Sequence, residues 1–471
     1  MRGGCSWRGR VNAGLAALAL VGAMGAATAQ AQEKDKAAPT SIWEQDTLTG
    51  DWGGARTALK DHGIDVTLNY IGETLGVVNG GLDRRAIYGG RLEFSVDTDL
   101  EKLVGWTGGK THITVYQIQN TRDGITAAAG SISPPSSIDA LKTTRLFTAW
   151  FEQSFKDVAS LRIGQLAGDD EFFTSETAGG LINGTFGWAD NLAANMLHGG
   201  PAYPLAAPGA RLKLTPNENL TVLAAVFTGD PVGANCNADA DGVNPQTCNR
   251  HGFDAFALDG GALWLGEVQY AINQGKHAVG LPGVYKLGAW YATADFADQH
   301  FGLGAGGNVL TLADGSVTGP LNHGGNWGVY GVADQRVWQG AQSSLNLFVR
   351  GGVSPSDRNL LSYYIDGGAG IKGLLPGRPD DTLTFGVAYA KVSPDAVALD
   401  QDNLVLGGPP YAIRDAETLY ELSYIIQLAP WWALQPDLQY IHHPSGGQNP
   451  NDATLTLDHA FIAGVRSTIK F

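Results

Sequence analysis

Ionisable side chains recur at every second position beside apolar ones. Arg91 and Glu93 alternate with Leu92 and Phe94, and Arg211 and Lys213 with Leu212 and Leu214. Glu421 sits between Tyr420 and Leu422; Asp437 and Gln439 flank Leu438; Arg466 and Lys470 alternate with Val465 and Ile469. Arg162 and Arg350 stand in similar surroundings. On an extended chain this spacing collects the charged groups on one face and the apolar groups on the other. Guanidinium, ammonium and carboxylate groups sharing a wall offer hydrogen bonds to polar solutes. Rows of opposite sign facing each other would add a transverse field. A second set of candidates is aromatic: Phe172, Phe173, Phe186, Trp188 and Tyr203 lie in a Gly-rich stretch over 169–208. Covalent chemistry finds no motif, since G-x-S-x-G, H-E-x-x-H and the P-loop are all absent. His442 and His443 are neighbours expected on opposite faces of a strand. Asn237, Asp239, Asp241 and Gly242 make half a calcium loop without its later acid. No cofactor and no metal centre are expected, beyond weak divalent-cation binding by acidic loops such as 169–171 and 239–241.

Such a wall needs long strands to carry it. From Val66 onward period two dominates, and sixteen candidate strands follow, most near the ~9–11 residues of a tilted membrane strand. If the first strand starts in the periplasm, the outer connections average about 21 residues and the inner ones about 5, the asymmetry of an outer-membrane barrel. Lipid cannot satisfy backbone polar groups, so only helices or edge-free barrels survive in it. A face with apolar residues outward and Arg, Glu and Asp inward is inverted relative to a soluble domain, whose dry core would exclude those charges. The fold class expected is all-β: a transmembrane antiparallel β-barrel of about 16 strands over 66–471. The longest outer loop, about 169–208, is expected to fold inward as the constriction. Trp43, Trp338, Trp431, Trp432 and Tyr440 suit interface girdles.

Composition agrees. The chain has 471 residues, 65 of them Gly, with 16% charged and a net charge of −15. An acidic chain argues against a nucleic-acid partner, and no apolar run long enough for a membrane helix follows the first 31 residues. Arg2, Arg8 and Arg10 precede a short apolar run and Ala29-Gln30-Ala31, the pattern of an export leader over 1–31. Residues 32–65 read as a periplasmic linker with one short helix, Asp51 to His62, capped by Gly63. Cys5 leaves with the leader. Cys236 and Cys248 remain, and an oxidising compartment favours a disulfide between them.

Several segments carry a resemblance. They include LTGDWGGAR (48–56), G-Q-L-x-x-D-x-E-F (164–172), GGLINGTFG (179–187), GPAYPLAAPGARLKL (200–214) and FTGDP (227–231). The run from Gly352 to Leu383, ETLYELSY (417–424) and PDLQYIHHP (436–444) continue it. Over almost the whole mature chain, this order resembles the carbohydrate-selective porin family of OprB type. The resemblance implies passive diffusion of glucose-like sugars across a bacterial outer membrane, with lipid and lipopolysaccharide around the barrel and a monomer or homotrimer as the assembly. Sugar passage would use the charged wall for hydroxyls and the loop aromatics for C–H faces. The competing expectations are a barrel enzyme of lipase or protease type, an energy-coupled receptor, and a secreted soluble β-sheet sugar-binding protein. The first lacks a paired nucleophile and base: His251 and Ser343 are present but nothing pairs them. The second lacks a plug, with only about 34 residues before the first strand.

Overall fold

The structure, a computed structural model, describes residues 41–233, 236, 244–254, 260–274 and 278–471. The leader expected over 1–31 and the 237–242 motif lie outside the described residues. A short arm with helix α1 (Ala55–Asp61) leads into β1 (Ile64–Gly80), β2 (Ala86–Asp99), β3 (Gly109–Asn120), β4 (Thr143–Phe155), β5 (Ala159–Leu166) and β6 (Ala207–Asn217). Next come β7 (Leu220–Thr228), β8 (Ala262–Ile272), β9 (Gly283–Gly304), the three-residue β10 (Val309–Thr311) and β11 (Val317–Gln339). The last are β12 (Ser344–Val353), β13 (Leu361–Lys372), β14 (Thr382–Val392), β15 (Ala416–Ala429), β16 (Trp432–His442) and β17 (His459–Lys470). Short helices interrupt the connections: α2 (Leu100–Val104), α3 (Gly124–Ala129), α4 (Asp190–Ala193) and α5 (Pro394–Gly407). Among the described residues no helix is long and apolar enough to cross a membrane.

Every long strand pairs antiparallel with its chain neighbours, and β1 also pairs with β17, in the register Glu73↔Arg466. Leaving out β10, which pairs only with β9, sixteen strands close into a barrel with no free edge. The faces are sorted as the alternation requires. Phe94, Ile163, Leu212, Trp264, Leu287, Val349, Phe385 and Tyr420 are exposed on the outside, while Glu73, Arg211, Glu267, Arg350, Asp366, Glu421 and Asp437 are buried inside. The hydrophobic core also lies within the barrel, where Phe172, Phe173, Ile182 and Phe186 of the inward loop pack among Leu263, Tyr330, Phe348 and Tyr364 of the wall.

The arm is stitched to the closing strand. The Leu48 N–H donates to the Lys470 carbonyl at 2.8 Å, and Arg56 Nη2 donates to the Phe471 carbonyl at 2.6 Å. Trp43 stacks on Trp431 and Trp432 with ring centroids 5.8 and 6.4 Å apart. Gly63 ends α1 with φ +87°; a Cβ there would lie 2.5 Å from the Asp99 carbonyl, so only glycine lets the arm close over β2.

Four elements depart from the expectation. β9 and β11 are 22 and 23 residues long, about twice the ~9–11 residues expected of a tilted membrane strand. Their outer ends pair with each other beyond the neighbouring strands, through Val317↔Gly304 and Asn322↔Ala297. The connection after β14 forms helix α5, beyond the one short helix expected near the N-terminus: the Ser393 side chain accepts from Ala396 N–H at 3.2 Å, and Pro394 starts the first turn. In β4 the blurred pattern has a mechanical cause. Thr114 pairs with Thr148 but Val115 pairs with Leu146, leaving Phe147 as a bulge. The extra residue switches which parity faces inward, from Arg145 to Trp150 and Glu152.

Candidate functional site

Two loops enter the barrel, and wall carboxylates hold them by their backbone N–H groups. In the loop between β5 and β6, the Phe173 N–H donates to Glu267 at 2.8 Å. The Thr177 N–H donates to Asp334 at 2.9 Å, and the Ile182 and Asn183 N–H groups to Glu421 at 2.5 and 3.1 Å. Arg350 supplies the opposite polarity, donating to the Phe173 and Thr185 carbonyls, each at 2.9 Å. The loop between β3 and β4 is held in the same way. The Ile132 and Ser133 N–H groups donate to Glu417 at 2.8 and 2.7 Å, and Gln439 donates to the Pro135 carbonyl at 2.8 Å. Arg466 reaches Ser137 Oγ at 3.1 Å. Where the loops meet, Asp190 is buried and receives the Ser133 hydroxyl. Burial, and next the nearby Glu417 charge, push its carboxyl up to about 7.

This packing corrects the expected water path. Arg350, Glu421, Asp437, Gln439 and Arg466 all face inward, yet the loops cover them, and the side chain of Arg350 has 0% exposure. Phe172, Phe173, Phe186 and Trp188 are buried as well. Those rings are loop anchors and not stacking faces, because burial against the apolar wall is favoured over exposure to water. Glu73, Glu267, Asp366, Glu417, Glu421 and Asp437 are buried on the interior side, where the inward loops need acceptors. Alternation reveals which way a side chain points, not what lands on it.

Open water remains against β2 to β6. Arg211 uses all three nitrogens: Nε donates to Glu171 at 2.7 Å, Nη2 to Glu152 at 2.7 Å and Nη1 to Ser160 at 2.8 Å. Arg162 Nε donates to Glu152 at 3.0 Å, and its Nη1 lies 3.9 Å from Glu171. Its guanidinium lies over the Trp150 ring, 3.8 Å from the centroid. Glu171 belongs to the inward loop, so loop and wall share one ring of charge. A cavity of about 320 Å³ opens beside it, lined by Glu152, Arg162, Glu171, Arg211 and Lys213 among others. Further along, Arg91 lies 3.6 Å from Glu93 and over the rings of Tyr116 and Tyr203, at 4.6 and 5.1 Å. Tyr203 is the one expected loop aromatic that meets a wall arginine in this region. The charges pair side by side within the wall and do not form the opposed rows expected. Lys470, exposed at the end of β17, lies outside this cavity.

Trp150 and Glu152 were not singled out from the sequence, because the Phe147 bulge masks their parity. Glu171 was noted only as one of three consecutive acids. Cys236 and Cys248 are bonded, with Cα atoms 5.8 Å apart. The chain that follows docks on β4, where Arg145 donates to the Asn249 carbonyl at 2.6 Å. The His442 and His443 rings stack at 3.9 Å and do not diverge, since His443 adopts φ 53° at the strand end. Among the described residues no group of three metal-ligating side chains gathers.

Comparison with known proteins agrees with this architecture. The profile of the carbohydrate-selective porin family, OprB, matches residues 83–471. Porin B of Pseudomonas aeruginosa is 28% identical over 480 residues, covering 96% of this chain and 96% of that protein. The putative porin QuiX of Acinetobacter baylyi is 25% identical over 466 residues, covering 91% and 94%. The high-pH structure of Pseudomonas putida OprB superimposes with a TM-score of 0.78 at 25% identity, covering 92% of this chain and all of that one. The low-pH structure gives 0.53 at 21% identity. The chain belongs to the OprB family of carbohydrate-selective porins, channels of the bacterial outer membrane through which sugars diffuse.

Proposed function

We propose that the ring formed by Glu152, Arg162, Glu171 and Arg211 is the selectivity filter and that it favours neutral sugars over ions. The supporting observation is the double bridge of Arg211, 2.7 Å from both Glu152 of the wall and Glu171 of the inward loop. It fixes the loop edge against the wall and places two cations and two anions side by side. Local charge then sums to zero, so neither sign of ion gains a strong field, while Arg162 and Glu171, the more exposed members, offer hydrogen bonds to hydroxyls and Arg211 holds them in place. The Trp150 ring beneath Arg162 holds the guanidinium flat. The channel equilibrates solutes and performs no bond chemistry. The ring itself, and not the net charge of the whole chain, sets ion preference.

Liposome swelling tests this. Neutral hexoses should enter faster than sugar acids of equal size, and a salt gradient across a planar bilayer should give a reversal potential near zero. A strong preference for either ion would refute the neutral ring.

A further inference from the structure

A second cavity lies in the barrel at the end that carries the short turns and the arm, the periplasmic end by the short-turn rule. Its volume is about 280 Å³, near the lower end of small-molecule sites. Lys60 comes from α1, Asp65 from β1, Asp97 from β2, Lys102 from α2, Lys110 from β3 and Trp150 from β4. Asp65 and Asp97 share the inward parity of Glu73 and Glu93 on their strands, and Lys110 shares that of Thr114, so the basin opens to the lumen. Three ammonium groups balance three carboxylates once Asp99, also in the lining, is included.

The acids are pre-oriented. Lys60 lies 3.0 Å from Asp65. His112 meets Asp97 at 2.7 Å and continues through Thr114 to Ser95, at 2.7 and 2.8 Å. Asp99 accepts from the Glu101 and Lys102 N–H groups at 3.0 and 3.3 Å. Lys102 and Lys110 are exposed at the basin wall. Trp150 joins the basin to the filter: His112 stacks on it at 4.9 Å and Arg162 lies over it at 3.8 Å. Lys110 of the basin pairs across the strands with Glu152 of the ring, so the two adjoin, and the basin carries no net charge and many hydrogen-bonding groups.

We propose that this basin is a second sugar-binding station at the exit, taking one neutral monosaccharide, and that the N-terminal arm completes it through Lys60. The proposal rests on sugars passing the ring described above. The arm contributes structurally as well as chemically, because Gly63 closes it onto β2 and the Arg56 contact to Phe471 holds it there.

The test is single-channel recording in planar bilayers with glucose added to one side at a time, on the full-length protein and on Lys102→Gln/Lys110→Gln. The periplasmic-side association constant should fall by about tenfold, the loss of one or two hydrogen bonds to charged donors. Entry from the extracellular side should keep its rate. Unchanged association from both sides would overturn the basin and leave the ring standing, as would an equal loss from both sides with altered ion conductance. Absence of sugar block from either side in the unmodified protein would overturn the ring, and the basin with it.

Discussion

Arg350 and Asp366 face each other across β12 and β13 as an ion pair whose side chains have no exposure to water. Asp366 accepts from Arg350 Nε at 3.1 Å and from Nη2 at 2.5 Å, while Nη1 reaches the Phe173 carbonyl and Nη2 also reaches the Thr185 carbonyl. A single buried cation thus fixes the strand pair and the constriction loop together. Porin function depends on that loop staying put.

Arg350→Met should therefore release the loop more than it harms the barrel. It leaves Asp366 buried and unpaired, at a cost of about 3–5 kcal/mol. Strands paired all round the barrel tolerate that locally. The expected result is higher single-channel conductance and new protease cleavage within 167–206, with heat-modifiable gel migration retained. Unchanged conductance and cleavage would show that Arg350 does not hold the loop.

The junction between the two loops should respond to pH through Asp190. Its carboxyl keeps its proton up to about 7 when packed, whereas an opened loop releases it near the ordinary ~3.9. Between those values the packed form binds more protons, so packing weakens as pH rises through that window and the loss is complete above it. Protease cleavage of 121–142 and 167–206 should be faster at pH 8 than at pH 5. Asp190→Asn, which removes the repulsion from Glu417, should narrow that difference. A pH difference of unchanged size in the variant would assign the effect elsewhere.

The disulfide should matter only outside the membrane. Its sequence separation of 12 residues is short, and closing a loop of about that length stabilises by roughly 3 kcal/mol in the chain-entropy account. Cys236→Ser/Cys248→Ser should keep conductance and glucose block, while cleavage in 229–261 accelerates. Loss of glucose block would mean that the loop after β7 shapes the filter.

The alternation of Tyr420, Glu421 and Leu422 was enough to reveal the barrel, because a lipid face and a period of two admit one architecture. It also oriented Arg91, Arg162 and Arg211 correctly toward the interior. What it left hidden has particular causes. Glu421 and Arg350 look like Arg162 in sequence, yet they lie beneath a loop, since their partners at Ile182 and Phe173 are more than a hundred residues away. The loop between β3 and β4 gives no sign of turning inward, being of ordinary outer-loop length and without aromatics. Its only signal was the need for a partner at Glu417. Glu152 was concealed by one inserted residue, Phe147, which reversed the parity along β4. Local pattern decides facing; nonlocal packing decides which facing residues meet water.

If the wall-and-loop ring of Glu152, Arg162, Glu171 and Arg211 sorts sugars, glucose block of single-channel current reports it most directly, in the unmodified protein and in Arg162→Ala/Glu171→Ala, which removes one charge of each sign and keeps the balance. Block affinity should fall by about tenfold or more, from losing hydrogen bonds to two charged groups, with ion selectivity unchanged. Glucose block of the same affinity in the variant would contradict it.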